Sequence, residues 1–434
     1  MGKKEAARKY QSVRGTRDVL PPEIDGWHWL ERKLRAVLAR FGYAEIRSPV
    51  FEHTELFEKG TGESTDIVQK QMYTFVDRGG RSLTLRPEGT PSVARAVIEQ
   101  GLLKRSRFVK LFYLGPMFRY DRPQAGRYRQ FDQLGAELIG VAGAQGDAEC
   151  IHLHVALLEE LGLRQFVVKI NSVGCPECRP SYSKLVREDL AGRASELCDD
   201  CRARLEKNPL RILDCKNEAC IALAQAVPPI TRSLCEECLE QYRGLKERLA
   251  LIGVEFKEDP GLVRGLDYYT RAAFEVHHYL LGAQSALGGG GRYDGLIELY
   301  GGPPTPAVGF AAGLDRILLA VEKEGIEIPP SEGADVYVVA VSEKARAKCF
   351  LLASNLRSTF RVEVDLLERS LQAQMKAAHT ARATFTLIIG DEELESAVLT
   401  LKDMGTGEQR KVPEEELVRH LAEALSRRTE IQNG

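Results

Sequence analysis

Between Trp27 and Phe41 the apolar residues Trp27, Leu30, Leu34, Leu38 and Phe41 recur at spacings of three and four, which predicts an amphipathic helix after the breaker "LPPE". The next stretch, "YAEIRSPVFE", has strand character but carries Pro49, so it reads as an edge strand or an interface element. Residues 108–140 read as two strands joined by a polar loop. In the second strand Leu134, Ala136 and Leu138 share one face, while Gln133, Gly135 and Glu137 take the other. A polar face opposite a core face either meets solvent or lines a site, and the pattern alone leaves both open.

Further along, "DYYTRAAFEVHHY" is another strand candidate, followed by the glycine cluster "LGGGGRYDG". The Pro and Gly content of "EGIEIPPSEG" marks a linker. Beyond it, "DVYVVAV", "RVEVDL", "FTLIIG" and "AVLTLKD" alternate with helical stretches, the pattern of an α/β domain over residues 334–434. No internal repeat or low-complexity tract stands out.

The chain has 434 residues, 44% hydrophobic and 28% charged, which fits a folded protein of two to four domains. A formal net charge of −2 excludes a polybasic protein that binds nucleic acid by bulk electrostatics, so any polyanion must meet a local patch. No apolar run reaches the roughly 18 to 20 residues of a spanning helix, and "MGKKEAARKYQS" has no apolar signal segment. A cytoplasmic protein without a membrane partner is the expectation.

The loop in "FRYDRPQAGRYRQF" supplies the local charge, with Arg119, Arg122, Arg127 and Arg129 in twelve positions. No G-x-x-x-x-G-K-[ST] occurs, and "LGGGGRYDG" does not fit G-x-G-x-x-G, so a phosphate would need another cradle. Arginine provides one, because its planar fork pairs bidentately with phosphate oxygens. Arg264 in "LVRGLDYY" and Arg316 in "GFAAGLDRILLAVE" extend the set. Leu314, Ile317, Leu318 and Val321 mark a helix that begins near Gly313, which places Arg316 in the first turn, where the macrodipole opposes a cation. Either Arg316 pairs with Asp315 or Glu322, or a bound polyanion offsets the repulsion and Gly309, Ala311, Ala312 and Gly313 let it approach.

These stretches resemble the class II aminoacyl-tRNA synthetases, and in particular the histidyl-tRNA synthetase family. "FRYDRPQAGRYRQF" resembles motif 2, "GFAAGLDRI" motif 3, and "YAEIRSPVFE" the end of motif 1, the dimer element. "LVRGLDYYT" and "GGGGRYDGL" resemble the two peptides that set this family apart, and "RGTRDVLP" and "TLRPEGT" match its N-terminal part. The resemblance implies an α+β domain with an antiparallel sheet flanked by helices, a mainly helical Cys-rich insertion and a C-terminal α/β anticodon-binding domain. The expected segments are 1–170 and 244–328 for the catalytic domain, 171–243 for the insertion and 334–434 for the anticodon domain.

It further implies ATP and Mg²⁺, the substrates L-histidine and tRNA(His), and a homodimer. Arg119 would hold the α-phosphate, and Arg127 and Arg316 the outer phosphates. Arg264 would sit between the substrate carboxylate and the α-phosphate. Glu88, Thr90 and Gln133 would receive the substrate ammonium, with Glu137, Tyr268 and Tyr269 lining the imidazole pocket and Tyr293 alongside. On spacing alone Tyr268 and Tyr269 read first as core or stacking aromatics. Arg122 and Gln124 resemble positions that touch the tRNA acceptor end, residue types suited to base edges. Asp132 in "FDQ" departs from the usual pattern without removing a proposed contact.

Eight of the ten cysteines fall in residues 175–238 as Cys175/Cys178, Cys198/Cys201, Cys215/Cys220 and Cys235/Cys238. Their spacing suits one or two tetrahedral zinc sites. The resemblance argues instead for reduced structural thiols, since the family's insertion is not generally a metal domain. Three rival readings remain at this point. One is the synthetase-like regulatory subunit of ATP phosphoribosyltransferase, one is another class II synthetase, and one is a zinc-ribbon nucleic-acid binder.

Overall fold

The computed structural model describes residues 10–62, 65–213, 215, 217–263, 266 and 268–433. The chain divides into two compact units, residues 1–328 and 329–434.

The larger unit is built on an eight-stranded sheet. Its strands are β1 (Ala44–Glu45), β5 (Val109–Phe118), β6 (Gln130–Ile139), β7 (Phe166–Ser172), β8 (Phe256–Glu258), β9 (Thr270–His278), β10 (Ala286–Arg292) and β11 (Ala307–Gly313), while β2 (Phe51–His53), β3 (Tyr73–Val76) and β4 (Ser82–Leu85) form a separate small sheet. The spatial order is β1-β5-β6-β11-β10-β9-β7-β8. All inner pairings are antiparallel, and only the edge pairs β1–β5 and β7–β8 are parallel.

The expected helix spans Glu23–Arg40 and buries Trp27, Leu30, Leu34 and Leu38. Together with the helices Ala144–Glu160, Glu236–Leu251 and Leu314–Lys323 it covers one face of the sheet, where Leu134, Ala136 and Leu138 of β6 point. The other face meets the helix Thr90–Glu99, which contributes Val93 and Val97 to a second cluster with Tyr113, Met117 and Tyr293. The polar face of β6 is therefore covered, and Glu137 is wholly buried. The solvent-facing alternative does not hold.

"YAEIRSPVFE" does not form one strand. It breaks into β1 and β2, which belong to different sheets. Pro49 lacks an amide donor, and the break around it is held by Arg86, whose Nη1 donates to the Ser48 carbonyl and hydroxyl at 3.0 Å each. "DYYTRAAFEVHHY" likewise becomes a strand only from Thr270, leaving Tyr268 and Tyr269 in the turn before β9.

In the glycine cluster, Arg292 closes β10 with a fully buried side chain. Its Nε donates to Asp147 Oδ1 at 2.8 Å and its Nη1 to Asp294 Oδ1 at 3.0 Å, and the carbonyls of Val141 and Gly143 accept the remaining donors. Gln241 completes Asp147 from the helix Glu236–Leu251 at 2.9 Å. Removing one partner of such a pair strands a charge in the core. Asp147→Ala is expected to destabilise the protein by about 3–5 kcal/mol in urea unfolding, and a loss under about 1 kcal/mol would show that the pair is dispensable.

Between β7 and β8 the segment is mainly helical, with helices Cys178–Ala191, Asp199–Lys207 and Glu218–Ala226 around a small core of Val186, Leu190, Ile212 and Leu223. The following helix, Glu236–Leu251, sends Leu245 and Leu249 into the core of the main sheet.

The smaller unit holds a five-stranded sheet of β12 (Val336–Ala340), β13 (Val362–Val364), β14 (Phe385–Ile389), β15 (Val398–Asp403) and β16 (Gln409–Pro413), in the order β13-β12-β14-β15-β16. β12 pairs in parallel with β13 and β14, and β15 and β16 follow antiparallel. The helices Glu343–Leu356 and Leu417–Asn433 pack Leu352, Leu356, Leu417 and Leu421 against Val338, Leu387 and Leu401. This is the α/β pattern read from the sequence.

Candidate active site

A cavity of about 360 Å³ opens on the sheet face carrying Gln133, over the glycines of β10. Arg119, Arg127, Arg316, Glu88, Thr90, Gln133, Tyr268 and Tyr269 all line it. Residues separated by more than two hundred positions thus meet in one place.

Glu88 lines its inner end, while Glu137 and Tyr293, both wholly buried, are not part of the lining and connect to it through Thr90 and Tyr268; hydroxyls hold both carboxylates. Thr90, at the start of the helix Thr90–Glu99, donates to Glu137 Oε1 at 2.6 Å, and Tyr293, just past β10, donates to Glu137 Oε2. Glu88 accepts from Thr61 at 2.6 Å and from Tyr268 at 2.9 Å. The resemblance groups Thr90 with Glu88 and Tyr268 with Glu137, whereas the structure crosses these pairs. Burial pushes the Glu137 carboxyl up to about 8, with Glu88 adding to the rise, against the Thr90 and Tyr293 bonds that pull it down. A cation bound beside Glu88 and Glu137 would offset the burial and favour their ionised forms.

Tyr268 lies 4.7 Å from Tyr269 and 5.8 Å from Tyr293, centroid to centroid, so the three rings form one aromatic wall. The wall belongs to the site and to the core at once, as Tyr268 also packs against the buried cluster that holds Tyr293 and Val93.

Glu137 has room because Gly309 faces it in the β6–β11 register. A Cβ at Gly309 would lie 1.8 Å from Glu137 Oε2, so no larger residue fits while that carboxyl keeps its place. Similarly, Gly135 faces Tyr113, and a Cβ there would meet the Tyr113 ring at 2.1 Å. That opening lets Tyr113 donate to Gln133 Oε1 at 3.3 Å.

At the outer end sit the guanidinium groups. Arg119 follows β5 directly, donates from Nε to the Pro87 carbonyl at 2.8 Å and lies 5.4 Å from the Phe131 ring centroid. Arg127 forms a bidentate pair with Asp121, both bonds at 2.8 Å. Arg316 occupies the first turn of the helix Leu314–Lys323, as the periodicity predicts, and donates to the carbonyls of Gly126 at 3.1 Å and Ala286 at 2.9 Å. Asp315 instead engages Arg17 at 3.2 Å, which removes the adjacent-pair reading of Arg316. Burial and then the nearby charges of Arg127 and Arg119 make the protonated Arg316 less favourable. Three guanidinium groups thus share one cavity wall, one of them already paired with Asp121.

Arg122 and Gln124 stay outside the cavity, exposed at the tip of the motif 2 loop, where the Gln124 amide bonds the Arg127 carbonyl at 3.1 Å. Arg264 lies outside the described residues. Sequence reasoning missed Tyr113, Thr61, Asp121 and Glu275, which hold or line the site. The signal for Tyr113 is a bulky ring directly across from a glycine once the two strands are paired. The others have no comparable signal.

The family model for histidyl-tRNA synthetase matches residues 15–177 and 194–317, and that for the anticodon binding domain matches residues 335–424. The chain belongs to the histidyl-tRNA synthetase family. The histidine--tRNA ligase of Caldanaerobacter subterraneus subsp. tengcongensis is 49% identical over 93% of this chain and 97% of its own. The crystal structure of apo S. aureus histidyl-tRNA synthetase superposes with a TM-score of 0.81 at 37% identity, covering 95% of this chain and 99% of that one. An ATP phosphoribosyltransferase regulatory subunit/histidyl-tRNA synthetase from Bacillus halodurans is more distant, at 25% identity and a TM-score of 0.62, over 89% of this chain and 99% of that one. Among the described residues no helix is long and apolar enough to cross a membrane.

Proposed function

We propose that this site performs the two steps of a histidine–tRNA ligase: ATP and L-histidine give histidyl-adenylate and pyrophosphate, and the histidyl group then passes to the terminal adenosine of tRNA(His). The observation that carries the reading is the junction in one cavity of a hydroxyl-bound carboxylate recess with three convergent guanidinium groups.

The recess fits histidine. Glu88, Thr90 and Gln133 receive the ammonium group, and Glu137 with the Tyr268, Tyr269 and Tyr293 wall receives the imidazole. A pocket of buried polar groups rejects side chains that leave those groups unpaired. Arg119 holds the α-phosphate and Arg127 and Arg316 the outer phosphates, with Arg264 assigned between carboxylate and phosphate by its place in "LVRGLDYYT". When the histidine carboxylate attacks the α-phosphorus, negative charge builds on groups that Arg119 already faces, so stabilisation needs no reorganisation. Arg127 must first exchange Asp121 for phosphate. The hard carboxylate oxygens of Asp121 and Glu275 on the cavity wall suit Mg²⁺, which bound to the phosphates would neutralise charge on the pyrophosphate leaving group.

Arg122 and Gln124, exposed at the loop tip, are assigned to the tRNA acceptor end. The 334–434 segment is assigned to the anticodon, where a nearly balanced charge favours hydrogen bonding to unstacked bases. The exposed apolar side chains Phe51, Phe75 and Val76 on the small β2-β4-β3 sheet, with Val50 just before it, support a homodimer through the motif 1 region. The reading places the protein in the cytoplasm, with its tRNA.

Amino-acid-dependent ATP–pyrophosphate exchange against a panel of amino acids tests the proposal. Exchange with histidine alone is expected. Exchange with another amino acid would indicate a different class II synthetase, and none at all would favour the regulatory-subunit reading.

A further inference from the structure

The eight clustered cysteines are not spread through the insertion. Those with side chains in reach of each other form two tetrads, Cys175, Cys178, Cys235 and Cys238, and Cys198, Cys201, Cys215 and Cys220, and within each tetrad all sulfurs lie within 4.8 Å of one another. The tetrads are nested in sequence: the pair formed by the first and last CxxC units encloses the other. We propose that each tetrad binds one zinc ion through four thiolates.

Geometry favours a metal over disulfides. Sulfurs at the corners of a tetrahedron with Zn–S bonds of about 2.3 Å stand about 3.8 Å apart. Cys175 and Cys178 sulfurs are 3.5 Å apart, Cys175 and Cys235 3.9 Å, and Cys198 and Cys215 3.9 Å. Each tetrad gathers four thiols mutually, whereas disulfides would draw them together as pairs. A four-sulfur set without nitrogen or oxygen ligands selects a soft, tetrahedral ion.

The backbone supplies the supporting shell expected of such sites. The Cys235 amide donates to Cys178 Sγ at 3.1 Å, the Cys198 amide to Cys220 Sγ at 3.3 Å and the Asn217 amide to Cys215 Sγ at 3.4 Å. Peptide donors to sulfur stabilise thiolate and fix its direction. Moreover, Cys198 and Cys235 both occupy the residue before a helix with nearly the same backbone angles, φ −65° and ψ 162° or 163°, and in each the second cysteine of the CxxC falls one turn inside the helix. The same knuckle is thus used once per tetrad.

Packing gives these sites a purpose. The helices Asp199–Lys207 and Glu218–Ala226 have nine residues each and share a small core, a situation in which a metal staple contributes folding energy outright. The outer tetrad stands where the insertion joins the main sheet. Arg179, next to Cys178, donates to the Val173 carbonyl at 3.2 Å and to the Tyr269 carbonyl, and the Arg271 amide bonds the Gly174 carbonyl at 2.9 Å.

The test is elemental analysis of the full chain purified without chelator, alongside the double variants Cys198→Ser/Cys201→Ser and Cys235→Ser/Cys238→Ser. About two zinc ions per chain are expected for the parent and about one for each double variant. Cobalt substitution of the parent should give tetrahedral d–d bands and thiolate-to-cobalt charge transfer, a readout that does not depend on aminoacylation or on the variants folding. A parent content below about 1.5 zinc per chain, iron in place of zinc, or eight thiols that react freely in the native protein would overturn the proposal.

Discussion

Glu137→Ala is expected to lower kcat/KM for histidine in pyrophosphate exchange by about 10³ to 10⁴, while ATP binding changes by less than about threefold. The substitution removes the acceptor for Thr90 and Tyr293 and leaves both hydroxyls buried without their partner. It also deletes the carboxyl proposed to read the imidazole. The arginines proposed to hold the phosphates keep their own contacts to the Pro87, Gly126 and Ala286 carbonyls and to Asp121. Histidine-dependent exchange and calorimetric ATP titration, run on the same preparation, separate the two effects. Equal losses in both would sink the assignment of Glu137 to the amino-acid pocket.

The second large effect is expected at Arg316. Arg316→Ala should reduce the rate of adenylate formation by about 10² to 10³ with the KM for histidine nearly unchanged, because it removes a fixed charge proposed to meet the outer phosphates. Arg316→Lys should recover only part of the rate, since an ammonium restores charge but not the planar fork. Single-turnover measurement of histidyl-adenylate checks both variants. Near-normal turnover by the alanine variant would mean that Arg316 only ties the helix Leu314–Lys323 to Gly126 and Ala286.

Much of this site is legible in the chain because local periodicity fixes where side chains point. The alternation in "QLGAEL" separates Leu134, Ala136 and Leu138 from Gln133 and Glu137, and the structure keeps that separation. The helical spacing after Gly313 places Arg316 in a first turn, where it is found. What alternation does not reveal is what covers each face. The helix Thr90–Glu99 and Tyr293 cover the Glu137 end of the polar face of β6, while Gln133 is left to line the cavity, and both covering elements arrive from distant parts of the chain.

Other features depend on strand pairing or chain return, which one stretch of sequence does not encode. Tyr113 reaches Gln133 only because β5 and β6 align it with Gly135. The crossed partners of Glu88 and Glu137 follow from where Tyr268 and Thr90 are delivered, not from residue type. The cysteine spacing likewise leaves open how four units combine. Closure of the insertion on itself brings Cys175 and Cys178 to Cys235 and Cys238, and the small apolar core between them brings the remaining four together. Pro49 was a local signal of another kind, marking a break whose two halves then joined different sheets.

With Glu137 in its proposed role, its pairing with Gly309 ties substrate choice to the alignment of two strands. Because neighbouring side chains alternate between faces, sliding β11 by one position would present Val308 or Phe310 to the acid and turn their apolar groups away from the hydrophobic interior. Misaligned chains would therefore be penalised by lost burial before any substrate arrived, so selection for a well-packed interior and selection for the correct amino acid act on the same strand alignment.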